Sequence, residues 1–64
     1  MILIVGGTGT LGRITAQMLL EQALPVRVMA RNTDKAAELR HLGAEVVQGD
    51  LTDRASLERA CEGV

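Results

Sequence analysis

Short apolar runs alternate along this chain with segments in which apolar residues recur at helical spacing. Ile2 to Val5 is an apolar run without polar alternation, which is typical of a central parallel strand buried on both faces. Similar runs occupy residues 26–30 and surround Val46 and Val47. The pattern therefore predicts strand, helix, strand, helix, strand and helix in that order.

The predicted first helix begins near Thr10 and ends before Pro25, because proline cannot continue a helix. Its apolar residues recur at helical spacing, which predicts one core-facing side. That side consists of Leu11, Ile14, Thr15, Met18 and Leu19.

Capping residues bound the other two predicted helices. Asn32 or Thr33 is suited to cap the second helix, and Gly43 to stop it in the left-handed conformation. Thr52 or Asp53 is suited to cap the third helix. Its predicted apolar face carries Leu57, Ala60 and Cys61, and Gly63 ends it.

Three glycines follow the first strand at a regular spacing. Gly6, Gly9 and Gly12 form G-x-x-G-x-x-G between a predicted strand and a predicted helix, the context that a dinucleotide-binding loop requires. The first glycine permits the turn, the second lets the backbone approach a pyrophosphate, and the third lets helix and sheet pack closely. A tight turn that binds nothing is the structural alternative. The residues assigned to this loop are Gly6, Thr8, Gly9, Thr10, Leu11, Gly12 and Arg13.

Alternating strands and helices predict an α/β fold with a parallel sheet and right-handed crossovers. Together with the glycine loop, they predict the N-terminal half of a doubly wound Rossmann fold. We expect the strands in spatial order 3-2-1, with residues 1–64 forming one partial NAD(P)-binding domain.

The residue that follows the second strand bears on the choice of dinucleotide. NAD-binding folds carry an acidic residue about 20 positions after the glycines, whereas Arg31 stands there in this chain. A guanidinium attracts the 2′-phosphate of NADP and can bind it in bidentate fashion. Asn32 adds a neutral donor, and Arg13 could add a second cation. Arg31 as a solvated loop residue is the alternative.

Asp50 follows the third strand, where the adenine ring of a bound dinucleotide is expected. Its carboxylate could accept a hydrogen bond from the adenine amino group. An Asx turn ahead of the third helix is an equally good interpretation, and both could hold.

Charge and composition exclude several classes of protein. The net charge of −1 argues against a broad nucleic-acid-binding surface. No apolar run reaches the length of a membrane span, and no basic signal-peptide region opens the chain, so a cytoplasmic protein is expected. His41 and Cys61 cannot build a metal site alone, and Cys61 is expected in the core. The chain contains no Phe, Tyr or Trp, which suggests a piece of a larger domain.

The segments IVGGTGTLGR, VRVMARN and AEVVQGDLTDRASL resemble the N-terminus of NmrA-like proteins, within the atypical short-chain dehydrogenase/reductase superfamily. The resemblance covers the whole chain. It implies an NADP(H)- or NAD(H)-binding Rossmann fold, with Gly6, Gly9 and Gly12 at the pyrophosphate and Arg31 at the 2′-phosphate. It also implies that Asp50 contacts the adenine and that the backbone of Leu51 flanks it.

Proteins of this group are several times longer, so the chain is expected to be a fragment that binds cofactor without catalysis. Classical members use a Tyr-x-x-x-Lys pair, and this chain has no tyrosine; Lys35 is no substitute. Three interpretations of the parent stay open: an NADP-dependent oxidoreductase or nucleotide-sugar epimerase/dehydratase, a non-catalytic NADP(H) sensor, or a minimal folding unit. The last predicts self-association through an exposed first-strand edge.

Overall fold

In the part of the chain that the computed structural model describes, residues 1–6 and 9–64, three parallel strands form one sheet. They are β1 (Ile2–Val5), β2 (Val26–Ala30) and β3 (Glu45–Gln48), in the spatial order β1-β2-β3. The helices are α1 (Thr10–Glu21), α2 (Ala37–His41) and α3 (Arg54–Ala60), and a 3₁₀ turn (Thr33–Ala36) leads into α2. The predicted α/β class and the predicted order of elements are confirmed.

The main core lies on one face of the sheet, under α1 and α2. Because side chains alternate along a strand, Val26 and Val28 point to this face and Arg27 and Met29 to the other. The buried cluster consists of Ala16, Val26, Val28, Leu39 and Ala44, with Ile4, Leu19 and Leu20 packed against it.

Helix α3 packs on the opposite face, where Arg27 holds its C-terminal end. The Arg27 Nη1 donates to the carbonyl of Ala60 at 2.7 Å and also to the carbonyl of Glu62. Its Nε donates to Glu45 Oε2 at 3.1 Å. The side chain of Arg27 is only 12% exposed, so β2 and the last turn of α3 are joined by charge-assisted hydrogen bonds.

The apolar face predicted for α1 is wrong in its main members. Leu11, Ile14 and Met18 are 79%, 49% and 56% exposed, whereas Ala16 is fully buried. Two residues turn the helix by about 200°, so Ile14 and Met18 lie opposite Ala16. The helix carries apolar residues on two opposite sides, and the small side chain of Ala16 lets it approach the sheet closely. Of the predicted face, Leu19 packs against the core.

β1 is an edge strand, and the expectation that both its faces are buried is wrong for this structure. Ile2 and Val5 are 38% and 41% exposed. The amides of Ile2 and Gly6 donate towards β2 at 2.9 and 3.0 Å. Backbone groups alternate in direction along a strand, so those of Leu3 and Val5 point to the open edge.

The ends of the helices settle the open choices of cap. Asn32 caps the 3₁₀ turn, its Oδ1 accepting from the amide of Asp34 at 3.0 Å. Asp53 rather than Thr52 caps α3. Gly43 ends α2 with a φ of 110°, as predicted. Cys61, expected in the core, is exposed because it follows the last turn of α3.

Candidate functional site

A cavity of about 430 Å³ lies where the carboxyl ends of β1, β2 and β3 meet. Parallel strands bring their carboxyl ends to one edge, so residues distant in sequence share this cavity. Of the residues predicted to bind a cofactor, it brings together Gly6, Arg31, Asn32, Asp50 and Leu51. The other lining residues are Val5, Met29, Ala30, Lys35, Gly49 and Thr52.

The glycine loop begins at the first strand end. Gly6 has a φ of 74°, which favours glycine, and its carbonyl accepts from the amide of Gly9 at 3.1 Å. Gly9 itself has an ordinary φ of −72°. Among the described residues, the nearest atom to a Cβ built on Gly9 is the Gly6 oxygen at 3.6 Å, an ordinary contact. The described protein atoms therefore leave room for a side chain at Gly9.

The remaining loop residues occupy the first turn of α1. Thr10, Leu11, Gly12 and Arg13 all lie within this helix, and none is among the described residues that line the cavity. The Arg13 guanidinium lies 3.6 Å from a carboxylate oxygen of Glu38 on α2. The predicted hydroxyl donor Thr8 lies outside the described residues.

Two cations line the wall that follows β2. Arg31 comes directly after the strand and is exposed, and Lys35 lies one turn later in the 3₁₀ turn. Within residues 1–6 and 9–64, Arg31 forms no ion pair. Lys35 is a residue that the sequence analysis missed. No local signal marked it, because Arg31 and the extended Asn32 lie outside the 3₁₀ turn and helical spacing does not relate them to Lys35.

The opposite wall follows β3 and carries Asp50 and Leu51. The Asp50 Oδ1 accepts hydrogen bonds from the Thr52 amide and the Thr52 hydroxyl, each at 2.9 Å. These bonds, with a smaller contribution from the positive charge of Arg31, hold the pKa of Asp50 below its usual range. The Asx turn is thus present, and a carboxylate that lines the cavity is ionised at neutral pH. Leu51 is 67% exposed beside it.

Ser56 stands behind this wall and was also missed. It is 4% exposed, and its hydroxyl is within hydrogen-bond distance of the backbone of Asp50 and Asp53. It lines a second cavity of about 300 Å³, which shares Arg31, Gly49 and Asp50 with the first. No sequence signal marks a serine inside a helix as buried and bound to a loop, because that role depends on tertiary contacts.

Residues 1–6 and 9–64 hold no group of three or more His, Cys, Asp or Glu side chains placed to share a metal ion. In the same residues, every helix is too short or too polar to cross a lipid bilayer.

Comparison with known proteins gives concordant matches. A model of the NmrA-like family matches residues 1–64. An NAD(P)H azoreductase of Xenophilus azovorans is 42% identical over 64 residues, which are 100% of this chain and 22% of the relative. The photosystem II assembly factor Ycf39 of Cyanophora paradoxa is 43% identical over 63 residues, which are 98% of this chain and 20% of the relative.

A solved structure matches over the same extent. The NADPH-dependent quinone oxidoreductase QOR2 of Escherichia coli, complexed with NADPH, gives a TM-score of 0.86 at 37% identity. That match covers 100% of this chain and 23% of the other. The chain thus spans about a fifth of the length of the curated relatives it matches. Because the family model matches the sequence from the first residue to the last, the chain belongs to the NmrA-like family.

Proposed function

We propose that residues 1–64 form the first part of a doubly wound Rossmann domain, with strand order 3-2-1, and bind NADP(H) in preference to NAD(H). One observation carries the proposal. The cavity at the strand ends has the glycine turn at Gly6 on one side, the cations Arg31 and Lys35 on a second, and the carboxylate of Asp50 on a third. A phosphorylated adenine dinucleotide needs these three kinds of group.

The pyrophosphate is proposed to bind between Gly6 and the first turn of α1. Helix α1 begins at Thr10, its N-cap residue Gly9 provides no side-chain cap, and its first turn carries no acidic residue. Its first amides are therefore available to phosphate oxygens, and the helix dipole favours negative charge there. The described residues leave room for a Cβ at Gly9, and a phosphate that approaches the backbone there would fill that space. Thr8, Thr10, Leu11, Gly12 and Arg13 are assigned to this loop on sequence alone.

The 2′-phosphate is proposed to bind to Arg31 and Lys35, with Asn32 as a further donor. Arg31 has no ion pair among the described residues, so binding a phosphate there breaks none. The Asn32 Oδ1 already caps the 3₁₀ turn, which leaves its amide nitrogen as the donor. NAD(H) lacks the 2′-phosphate and would leave both cations without an anionic partner.

The adenine is proposed to lie against Asp50 and Leu51. The ionised Asp50 carboxylate accepts from Thr52 through Oδ1, and Oδ2 accepts no hydrogen bond from the described residues. A carboxylate oxygen in this position can accept from the adenine amino group. Leu51 offers exposed apolar surface to the ring.

Chemistry by the whole protein is proposed as NAD(P)H-dependent oxidation and reduction, with catalytic residues supplied outside these 64. The supporting observation is that relatives named as an NAD(P)H azoreductase and an NADPH-dependent quinone oxidoreductase match the whole chain. The match to an assembly factor of similar identity supports a second candidate, a cofactor-binding protein that acts without catalysis.

The test of cofactor binding compares NADP⁺ with NAD⁺ by calorimetric titration of the chain and of its Arg31→Gln variant. Loss of charge-assisted hydrogen bonds to phosphate should weaken NADP⁺ binding by roughly 10- to 100-fold, with little effect on NAD⁺. Lys35→Gln should act in the same direction. Arg54→Gln is the matched control, because Arg54 is 92% exposed and pairs with Glu58 within α3.

Equal affinities of the unaltered chain for NADP⁺ and NAD⁺ would contradict the preference and leave dinucleotide binding intact. If the folded chain binds neither dinucleotide, the proposal that it binds a nicotinamide dinucleotide is refuted.

For residues 1–64 as a separate folding unit, the third interpretation above, we propose that two copies associate through β1. The outward backbone groups of Leu3 and Val5 can pair with another strand, and β1 carries neither charge nor proline to prevent this pairing. An antiparallel copy of β1 offers the same open edge.

The variant Leu3→Pro lacks one outward amide and keeps the hydrogen bonds between β1 and β2. Its sedimentation should therefore show a monomer. A monomeric unaltered chain would refute the proposal.

A further inference from the structure

Ser56 is the one buried polar side chain among residues 1–6 and 9–64. It lies in the first turns of α3, and the loop between β3 and α3 folds over it. Its Oγ lies 3.0 Å from the amide nitrogen of Asp50, 3.1 Å from the carbonyl oxygen of Asp50 and 2.8 Å from the carbonyl oxygen of Asp53. One hydroxyl thus contacts the loop at both of its ends.

A hydroxyl has one proton and two lone pairs, which decides how these contacts are shared. The amide of Asp50 donates to Ser56 Oγ, and the hydroxyl donates to the carbonyl of Asp53 or of Asp50. The amide of Asp53 in turn donates to the Asp50 carbonyl at 2.9 Å. The backbone of Asp50 is therefore fixed to α3 through Ser56.

The carboxylate of Asp50 is fixed to the same loop by Thr52, through the two bonds of 2.9 Å. The backbone and the side chain of Asp50 are thus held by different residues. Among the described residues, Ser56 alone joins this loop to α3 through a buried side chain. Asp53 also caps α3, with Oδ1 accepting from the amides of Ala55 at 3.1 Å and Ser56 at 3.4 Å.

The surroundings leave Ser56 little freedom to move. A Cβ built on Gly49 would lie 3.3 Å from Ser56 Oγ and 2.5 Å from the Sδ of Met29. Both distances are closer than ordinary contacts, so Gly49 is the residue that lets β3, Met29 and Ser56 meet. Arg27 anchors the other end of α3 to β2. The position of Asp50 in the cavity therefore follows from the position of α3.

We propose that Ser56 is a positioning residue for purine selectivity: it fixes the backbone of Asp50, so that the Asp50 carboxylate lies where it accepts a hydrogen bond from the 6-amino group of adenine. This inference rests on the proposed dinucleotide binding. The ligands selected at the cavity wall after β3 are 6-aminopurine nucleotides. Ser56 acts through Asp50 and touches no ligand in this role.

The test measures the ratio of two affinities, for NADP⁺ and for its desamino analogue, in which hydrogen replaces the 6-amino group. The unaltered chain should prefer NADP⁺ by about 10-fold or more, since a hydrogen bond to a charged group is involved. Ser56→Ala should reduce the preference to less than roughly threefold. Ser56→Thr keeps the hydroxyl and should show the same preference for NADP⁺ as the unaltered chain.

Asp53→Ala is the matched control, because it removes the cap of the same helix and leaves both partners of the Ser56–Asp50 bond in place. It should lower stability and leave the ratio of affinities unchanged. If Ser56→Ala does not fold, Ser56→Cys serves instead, since a thiol of similar size is a weak hydrogen-bonding group.

The possible results separate the proposals. A ratio that Ser56→Ala leaves unchanged, with both affinities lowered equally, would mean that Ser56 only stabilises the fold, and would overturn the inference. An unaltered chain that binds both ligands equally would overturn it and leave dinucleotide binding standing. An unaltered chain that binds neither would overturn both.

Discussion

At the scale of single residues, Asp50 links the site to pH. Hydrogen bonds from Thr52 and the charge of Arg31 lower its pKa in the folded chain. Its contribution to stability is therefore complete above the unfolded pKa of about 3.9 and is lost as the pH falls through the lower pKa of the folded state. Asp50→Asn should flatten the acid limb of the stability profile.

Urea unfolding followed by circular dichroism between about pH 2 and pH 6 measures this limb. Thr52→Ala removes one of the two donors and should give an intermediate slope. An Asp50→Asn variant with the same acid limb as the unaltered chain would show that the bonds to Thr52 do not favour the ionised form.

At the scale of elements, the joint between β2 and α3 depends on Arg27. Arg27→Met keeps the aliphatic stem and removes the donors to the carbonyls of Ala60 and Glu62. We expect a loss of about 1.5–3 kcal/mol in the free energy of unfolding, because these bonds involve a charged and largely buried donor. Hydrogen exchange should show the amides of α3 losing protection before those of β2.

Arg54→Met is the control for that prediction. Its exposed pair with Glu58 within α3 should contribute only about 0.3–0.5 kcal/mol. Equal effects of the two substitutions would mean that Arg27 acts as an ordinary surface charge.

At the scale of the whole molecule, the core contains few large side chains. Met29, Leu39 and Val28 are the largest that are fully buried among the described residues, and most of the others are alanine. Leu39→Ala should cost about 2–5 kcal/mol. That is a large share of the 5–15 kcal/mol typical of a whole domain, so the variant should unfold at a clearly lower urea concentration.

Far-UV circular dichroism in urea measures this change, since the chain has no aromatic residue to report it. Leu42→Ala is the matched control, because Leu42 is 53% exposed in the same part of the chain. It should change stability by no more than about 0.5 kcal/mol. If Leu39→Ala lowers the free energy of unfolding no more than Leu42→Ala does, the core under α1 and α2 contributes less to stability than we expect.

Local signals explain what the sequence could predict. Strand runs, the glycine turn at Gly6 and the stop at Gly43 depend on backbone preferences of nearby residues, and they were found where the pattern placed them. The buried side of α1 could not be predicted, because apolar residues occupy two opposite sides and only packing on the sheet selects Ala16. Likewise Lys35 and Ser56 gain their positions from contacts between elements distant in sequence.

The cavity formed by the ends of β1, β2 and β3 has a consequence for how much of the chain is folded. An unfolded chain holds no such cavity, so a ligand that fills it binds the folded chain alone. At a free concentration of 100 times Kd, such a ligand adds about 2.7 kcal/mol to the free energy of unfolding. Under the proposed function, the supply of free dinucleotide sets the folded population, and its depletion exposes the chain to proteolysis.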